Sequence, residues 1–117
     1  MEQRLVAETI GTILQIMPKV VEKTLQTAEH FQMGQESSGL KGIVDLFDGY
    51  DWIVQAIIGL QKIGVSISFN IVDFQAIFKE MEKALRSKDY VLLSDLLEYE
   101  ICPALETVYK ELTAMSL

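Results

Sequence analysis

The sequence has one cysteine, one histidine, two prolines and no cluster of lysine or arginine among its 117 residues. Each shortage removes a class of chemistry. A lone Cys102 cannot close an internal disulfide, which suits a reducing compartment and makes the cytoplasm the expected location. A lone His30 rules out the Glu-x-x-His pair by which one turn of a bundle helix brings two ligands to one metal, and the residue three positions before it is Thr27. No metal and no cofactor are expected. Nucleophilic catalysis lacks a base as well: Cys102 lies between Glu98 and Glu106, whose charges oppose thiolate formation. Gly34, Gly39 and Gly42 are too dispersed for a phosphate-binding loop. With no acid, base and nucleophile to converge, the chain is not expected to be an enzyme.

Positive charge is also scarce. Ten Lys and Arg stand against 17 Asp and Glu, a formal net charge of -7. Nucleic-acid partners need a basic patch to displace counterions, and anionic membrane surfaces need the same, so neither is expected. The apolar runs are short. Ile53–Leu60, interrupted by Gln55, falls well below the roughly 20 residues that span a bilayer. The opening MEQRLVAETIG lacks the basic start and continuous apolar core of a signal peptide.

What remains is abundant apolar residues at helical spacing. Half of the residues are hydrophobic and 23% are charged, enough for a single domain over 1–117 with its own core. The segment Leu40 to Ile63 is the most apolar. Leu40, Ile43, Val44, Phe47, Tyr50, Val54, Ile57 and Ile58 form one stripe, with Leu46, Ile53 and Leu60 beside it. So wide a face predicts a helix covered by the other segments. Before it, Val6, Ile10, Ile13, Met17, Val20 and Phe31 predict a helix over 2–33, bent at Pro18, with Gly34 as its stop. Ser37 or Ser38 is the expected cap of the second helix, over 38–63, which Gly64 ends. The stretch Val65–Phe69 alternates like a strand but has no partner strand, and is expected to be an extended connector. Asn70 and Asp89 are the expected caps of a third helix, over 70–86, and a fourth, over 90–114, the latter bent at Pro103. The predicted fold class is all-α, an antiparallel four-helix bundle.

The fourth helix has a face left over. Its inward stripe is Tyr90, Leu97, Ile101, Ala104, Leu105, Val108, Leu112 and Met115. Leu92, Leu96, Tyr99 and Pro103 form a second apolar line, bordered by Asp95, Glu98, Cys102 and Glu106. A second stripe calls for a second partner, either another protein or another copy of the chain. The expected partner-binding residues are therefore Leu92, Leu96 and Tyr99 for affinity, Asp95, Glu98 and Glu106 for orientation, and Trp52 as an aromatic anchor. Glu100 falls between Leu93, Leu96 and Ala104, an apolar setting on the wheel.

The run Lys88-Asp89-Tyr90-Val91-Leu92-Leu93-Ser94-Asp95-Leu96-Leu97-Glu98-Tyr99-Glu100-Ile101, continued by Pro103 and Leu105-Glu106, resembles a segment of small helical proteins of unknown function from Gram-positive bacteria. That resemblance implies a bacterial origin and carries no catalytic residue. Size, acidity and helical character are also similar to flagellar export chaperones, without a shared motif. The expectation is a protein–protein interaction module, adaptor or chaperone-like and self-associating as a homodimer. The alternative is a bundle holding a small apolar ligand among Met17, Phe47, Phe74, Phe78 and Met81, with Glu100 or Tyr50 orienting it.

Overall fold

The computed structural model describes residues 2–115; positions 1, 116 and 117 of the expected domain lie outside the described residues. Among these the chain is all-helical, without strands. The elements are α1 (Glu2–Gln32), α2 (Glu36–Lys62), α3 (Ile71–Arg86), α4 (Tyr90–Leu96) and α5 (Cys102–Met115). A π-helical turn, Leu97–Ile101, joins α4 to α5 without a break, so the two form one long fourth helix.

Local chemistry sets the joints. Gly34 takes a positive φ of 74°, and the Gln35 amide donates back to the His30 carbonyl while the Gly34 amide donates to Phe31, a Schellman closure of α1. Gly64, at φ 96°, closes α2 in the same way. Lys88 performs the third closure at φ 55°, although a side chain in this region costs roughly 1 kcal/mol or more. The Asn70 side chain accepts from the Asp73 amide at 3.2 Å and the Asp89 side chain from the Leu92 amide at 3.1 Å, as the sequence predicts. The expected serine cap of α2 does not form. The helix starts earlier, at Glu36, with Gln35 in the cap position and its side-chain oxygen engaged by His30 Nδ1 at 2.6 Å. The tight Gly34 closure leaves no room for a longer polar turn.

The connector between α2 and α3 has no regular secondary structure over 65–70, and Ile67 is buried. Two side chains hold its backbone. Gln61 donates to the carbonyls of Ile67 and Phe69, and the Glu111 carboxylate accepts from the Ser68 amide through both oxygens at 3.1 Å.

The arrangement around α2 differs from expectation. It is α1 whose backbone lies close to both α2 and the fourth helix. Glycine explains the α1–α2 approach. A Cβ on Gly39 would lie 2.6 Å from the Phe31 ring, one on Gly42 would collide with Thr27 Oγ1, and one on Gly49 would touch Val20 at 3.5 Å. Thr24 Oγ1 and the Tyr50 hydroxyl complete the row at 2.6 Å. Gly39, Gly42, Leu46, Gly49 and Ile53 therefore form the face that meets α1. This turns α2 on its axis: Leu46, Ile53 and Leu60 enter the core, and Val44, expected inside, is 65% exposed.

The other side of α2 meets α3 through aromatic rings. Phe74 and Phe78 have centroids 4.8 Å apart, Phe78 stacks on Tyr50 at 5.9 Å, and Phe47 meets Phe78 edge-on at 5.9 Å. Of the residues expected to line an apolar ligand site, Met17, Phe74 and Met81 are buried, while Phe47 and Phe78 are half-buried. Glu100, assigned an orienting role there, is exposed.

Candidate functional site

The π-turn decides which residues of the fourth helix face outward. Inside it, the Cys102 amide donates to the Leu97 carbonyl, a step one residue longer than in an α-helix. The proline at 103 has no amide for the Tyr99 carbonyl, and the wider turn accommodates its ring. The extra residue shifts the register, so a stripe drawn at constant spacing does not stay on one face. Leu96 lies before the π-turn and is in the core at 9% exposure; Tyr99 lies within it and is 65% exposed. Leu92 is half-buried against the core. The expected apolar line of Leu92, Leu96 and Tyr99 is thus divided, and Leu96 has no surface to offer a partner. Met115, expected inside, is exposed.

The acidic members fare differently. Asp95 and Glu106 are exposed and Glu98 is half-buried. Glu98, as acceptor for the Tyr99 hydroxyl and then through its charge, raises the Tyr99 pKa, with Asp95 adding to it. Cys102 lies between Glu98 and Glu106 as expected. Its thiol rises to about 11, first through burial and then through the charges of Glu106 and Glu98. The sulfur points at α1, 4.0 Å from the Val21 carbonyl. Trp52 belongs to α2 and is 42% exposed.

Beside Cys102, α1 and α5 enclose a groove of about 390 Å³. Met17, Val21 and Leu25, each four residues from the next, line it from α1, and Tyr109 lines it from α5. Pro18 and Glu22 complete the α1 side, and Glu106 the α5 side. Met17 is fully buried, whereas Leu25 is 44% exposed, so the lining runs from the core to the surface. Other apolar side chains are more exposed than Leu25; what sets it apart is its place on the lining of this groove. Of the expected partner residues only Glu106 lies here. Met17 belongs to α1's predicted stripe and to the alternative ligand site, and Val21, Leu25 and Tyr109 have no predicted role in binding. The four-residue row Met17, Val21, Leu25 was the available signal.

Elsewhere, among the described residues, the buried polar side-chain atoms have hydrogen-bond partners. Tyr50 is buried with its hydroxyl on Thr24, which itself donates to the Val20 carbonyl at 2.8 Å. Burial pushes the Tyr50 hydroxyl well above the usual tyrosine range. Ser94, buried on α4, accepts from Gln32 and donates to the Ala28 carbonyl, tying α4 to α1. Among the described residues no cluster of His, Cys, Asp and Glu has the makings of a metal site. No helix among them is long and apolar enough to cross a membrane.

These features define a small all-helical domain with an acid-rimmed apolar groove. The chain belongs to the family described as a domain of unknown function (DUF8042), whose profile matches residues 8–111, a span that contains the whole groove. No curated protein and no solved structure matches it.

Proposed function

We propose that the chain is a protein–protein interaction module, adaptor or chaperone-like, that works without catalysis, metal or cofactor in the cytoplasm of a bacterium. Its architecture is an antiparallel bundle in which Pro18 and Pro103 bend the two terminal helices. The observation that supports this reading is the α1–α5 groove: an open apolar surface bounded by two helices, the shape that accepts a helix from a partner. The partner is another protein or a second copy. Tyr99 and Trp52, both exposed, are further contact points outside the groove.

The test is a photo-crosslinking residue at position 25 in living cells, with the same residue at exposed position 82 on α3 as control, beside light scattering on the purified chain at several concentrations. A discrete adduct from position 25 and none from 82 is the expected result. No adduct from either, together with a monomer at every concentration, would overturn the reading.

A further inference from the structure

We propose that the α1–α5 groove takes a short cationic amphipathic helix of another protein, an inference that rests on the interaction-module reading above. Length comes first. Met17 to Leu25 covers about two helical turns, roughly 12 Å at 1.5 Å per residue, so the occupant presents two or three apolar side chains. Charge then selects among apolar helices. Glu22 stands on the α1 side of the groove and Glu106 on the α5 side. Neither forms an ion pair among the described residues, whose pairs are Arg4–Glu8, Lys23–Asp45 and Glu80–Lys83. Glu22 has only the neutral Gln26 amide, at 3.3 Å.

Of the neighbouring cations, Lys23 has an ion-pair partner in Asp45, at 3.8 Å, and Lys19 and Lys110 lie one helical turn from Glu22 and Glu106 without forming an ion pair among the described residues. None of the three lines the groove. Glu98, one turn before Cys102 on the same helix, is a further carboxylate near this edge, and the Cys102 thiol is raised by burial first, then by Glu106 and Glu98. A second copy is the weaker occupant, because it would bring another chain of net charge -7 to a carboxylate rim. Lysine or arginine flanking a leucine-type stripe is the complementary chemistry.

The experiment uses fluorescence anisotropy with labelled helix-forming peptides of about 18 residues, long enough to populate a helix. One carries leucines at helical spacing flanked by lysines, the second the same leucines flanked by glutamates, and the third the first peptide's residues in scrambled order. The lysine peptide is expected to bind, with the other two at least about ten-fold weaker. Replacing both rim glutamates (E22Q with E106Q) is expected to weaken it about ten-fold and to flatten its salt dependence. The same loss of charge on α3 (E80Q with E82Q) is expected to leave binding unchanged. Equal binding of the glutamate peptide, or indifference to the rim substitutions, overturns the cationic helix. If no peptide binds but the chain dimerises and Leu25→Gln dissolves the dimer, a second copy fills the groove: the cationic helix falls and the interaction module stands. If no peptide binds, position 25 gives no adduct and the chain is monomeric, both fall.

Discussion

Helix α1 packs along two seams that differ in kind. Against α2 the contact is closed: glycines at 39, 42 and 49 let Phe31, Thr27 and Val20 approach the α2 backbone, and the buried Thr24 and Tyr50 hydroxyls satisfy each other. Against α5 the seam has no glycine row and leaves a groove of about 390 Å³ beside Cys102. The first seam is closed by glycines that α2 presents to α1, whereas the outer end of the second is lined by a large flexible side chain of α1, Leu25. A closed seam resists change of volume, whereas an open one tolerates change of chemistry.

The largest effect expected from this contrast comes from filling the closed seam. Gly42→Leu places a branched side chain where even a Cβ meets Thr27 Oγ1, an atom already committed to the Lys23 carbonyl at 2.8 Å. Thr27 is buried and has little room to yield. A loss of about 3 kcal/mol is expected, the upper part of the usual overpacking range, read from urea unfolding of the variant beside the parent chain. If Gly42→Leu unfolds at the parent's midpoint, the two seams are not different in kind.

The seams also show what a helical wheel can and cannot reveal. Most stops and caps were legible because they are short-range: Gly34, Gly64, Asn70 and Asp89 act within a turn of their own position, whereas the expected Ser37 or Ser38 cap gave way to Gln35. The four helical segments were legible for the same reason, since apolar spacing is a local signal. The face of α2 was not. A hydrophobic stripe gives glycine no weight, yet Gly39, Gly42 and Gly49 are what let α1 come close, and that rotated Val44 out and Leu46 in. Leu96 was misplaced by a different cause. The wheel assumes constant spacing, and the π-turn at Leu97–Ile101 breaks it by one residue, with Pro103 the one visible hint. The groove was hidden because it belongs to two helices far apart in sequence. Periodicity within α1 or α5 alone does not show that they meet at Met17 and Tyr109.

The next effect in size concerns the thiol beside the open seam. In the closed seam, burial is the main force on Tyr50; at Cys102, burial acts together with Glu106 and Glu98. The thiol moves from its ordinary value of 9.0 to about 11 on folding, so the folded chain holds this proton more tightly than the unfolded one. Its stabilisation is therefore complete below about pH 9 and is lost as the pH rises toward 11. Between about pH 8 and pH 10.5 that loss amounts to roughly 2 kcal/mol. Cys102→Ala is expected to remove this part of the alkaline fall while other groups still titrate, so the quantity to compare is the slope of unfolding free energy against pH. Equal slopes in the two chains would show that neither burial nor the two carboxylates holds the proton on the thiol.

The smallest effect is the one that defines the open seam. Leu25 is 44% exposed, so replacing it forfeits only part of the 1.5–3 kcal/mol that full burial of a leucine contributes, about 1 kcal/mol. Glutamine is nearly leucine's equal as a helix former, so Leu25→Gln adds little backbone cost. The variant is expected to unfold cooperatively within about 1 kcal/mol of the parent, while losing the apolar contact that a docked helix would use. Stability and binding separate at this position, as they do not at Gly42, where the side chain and the backbone approach are one constraint. A Leu25→Gln chain destabilised as severely as Gly42→Leu would mean that Leu25 closes the seam from within and that no vacant surface exists there.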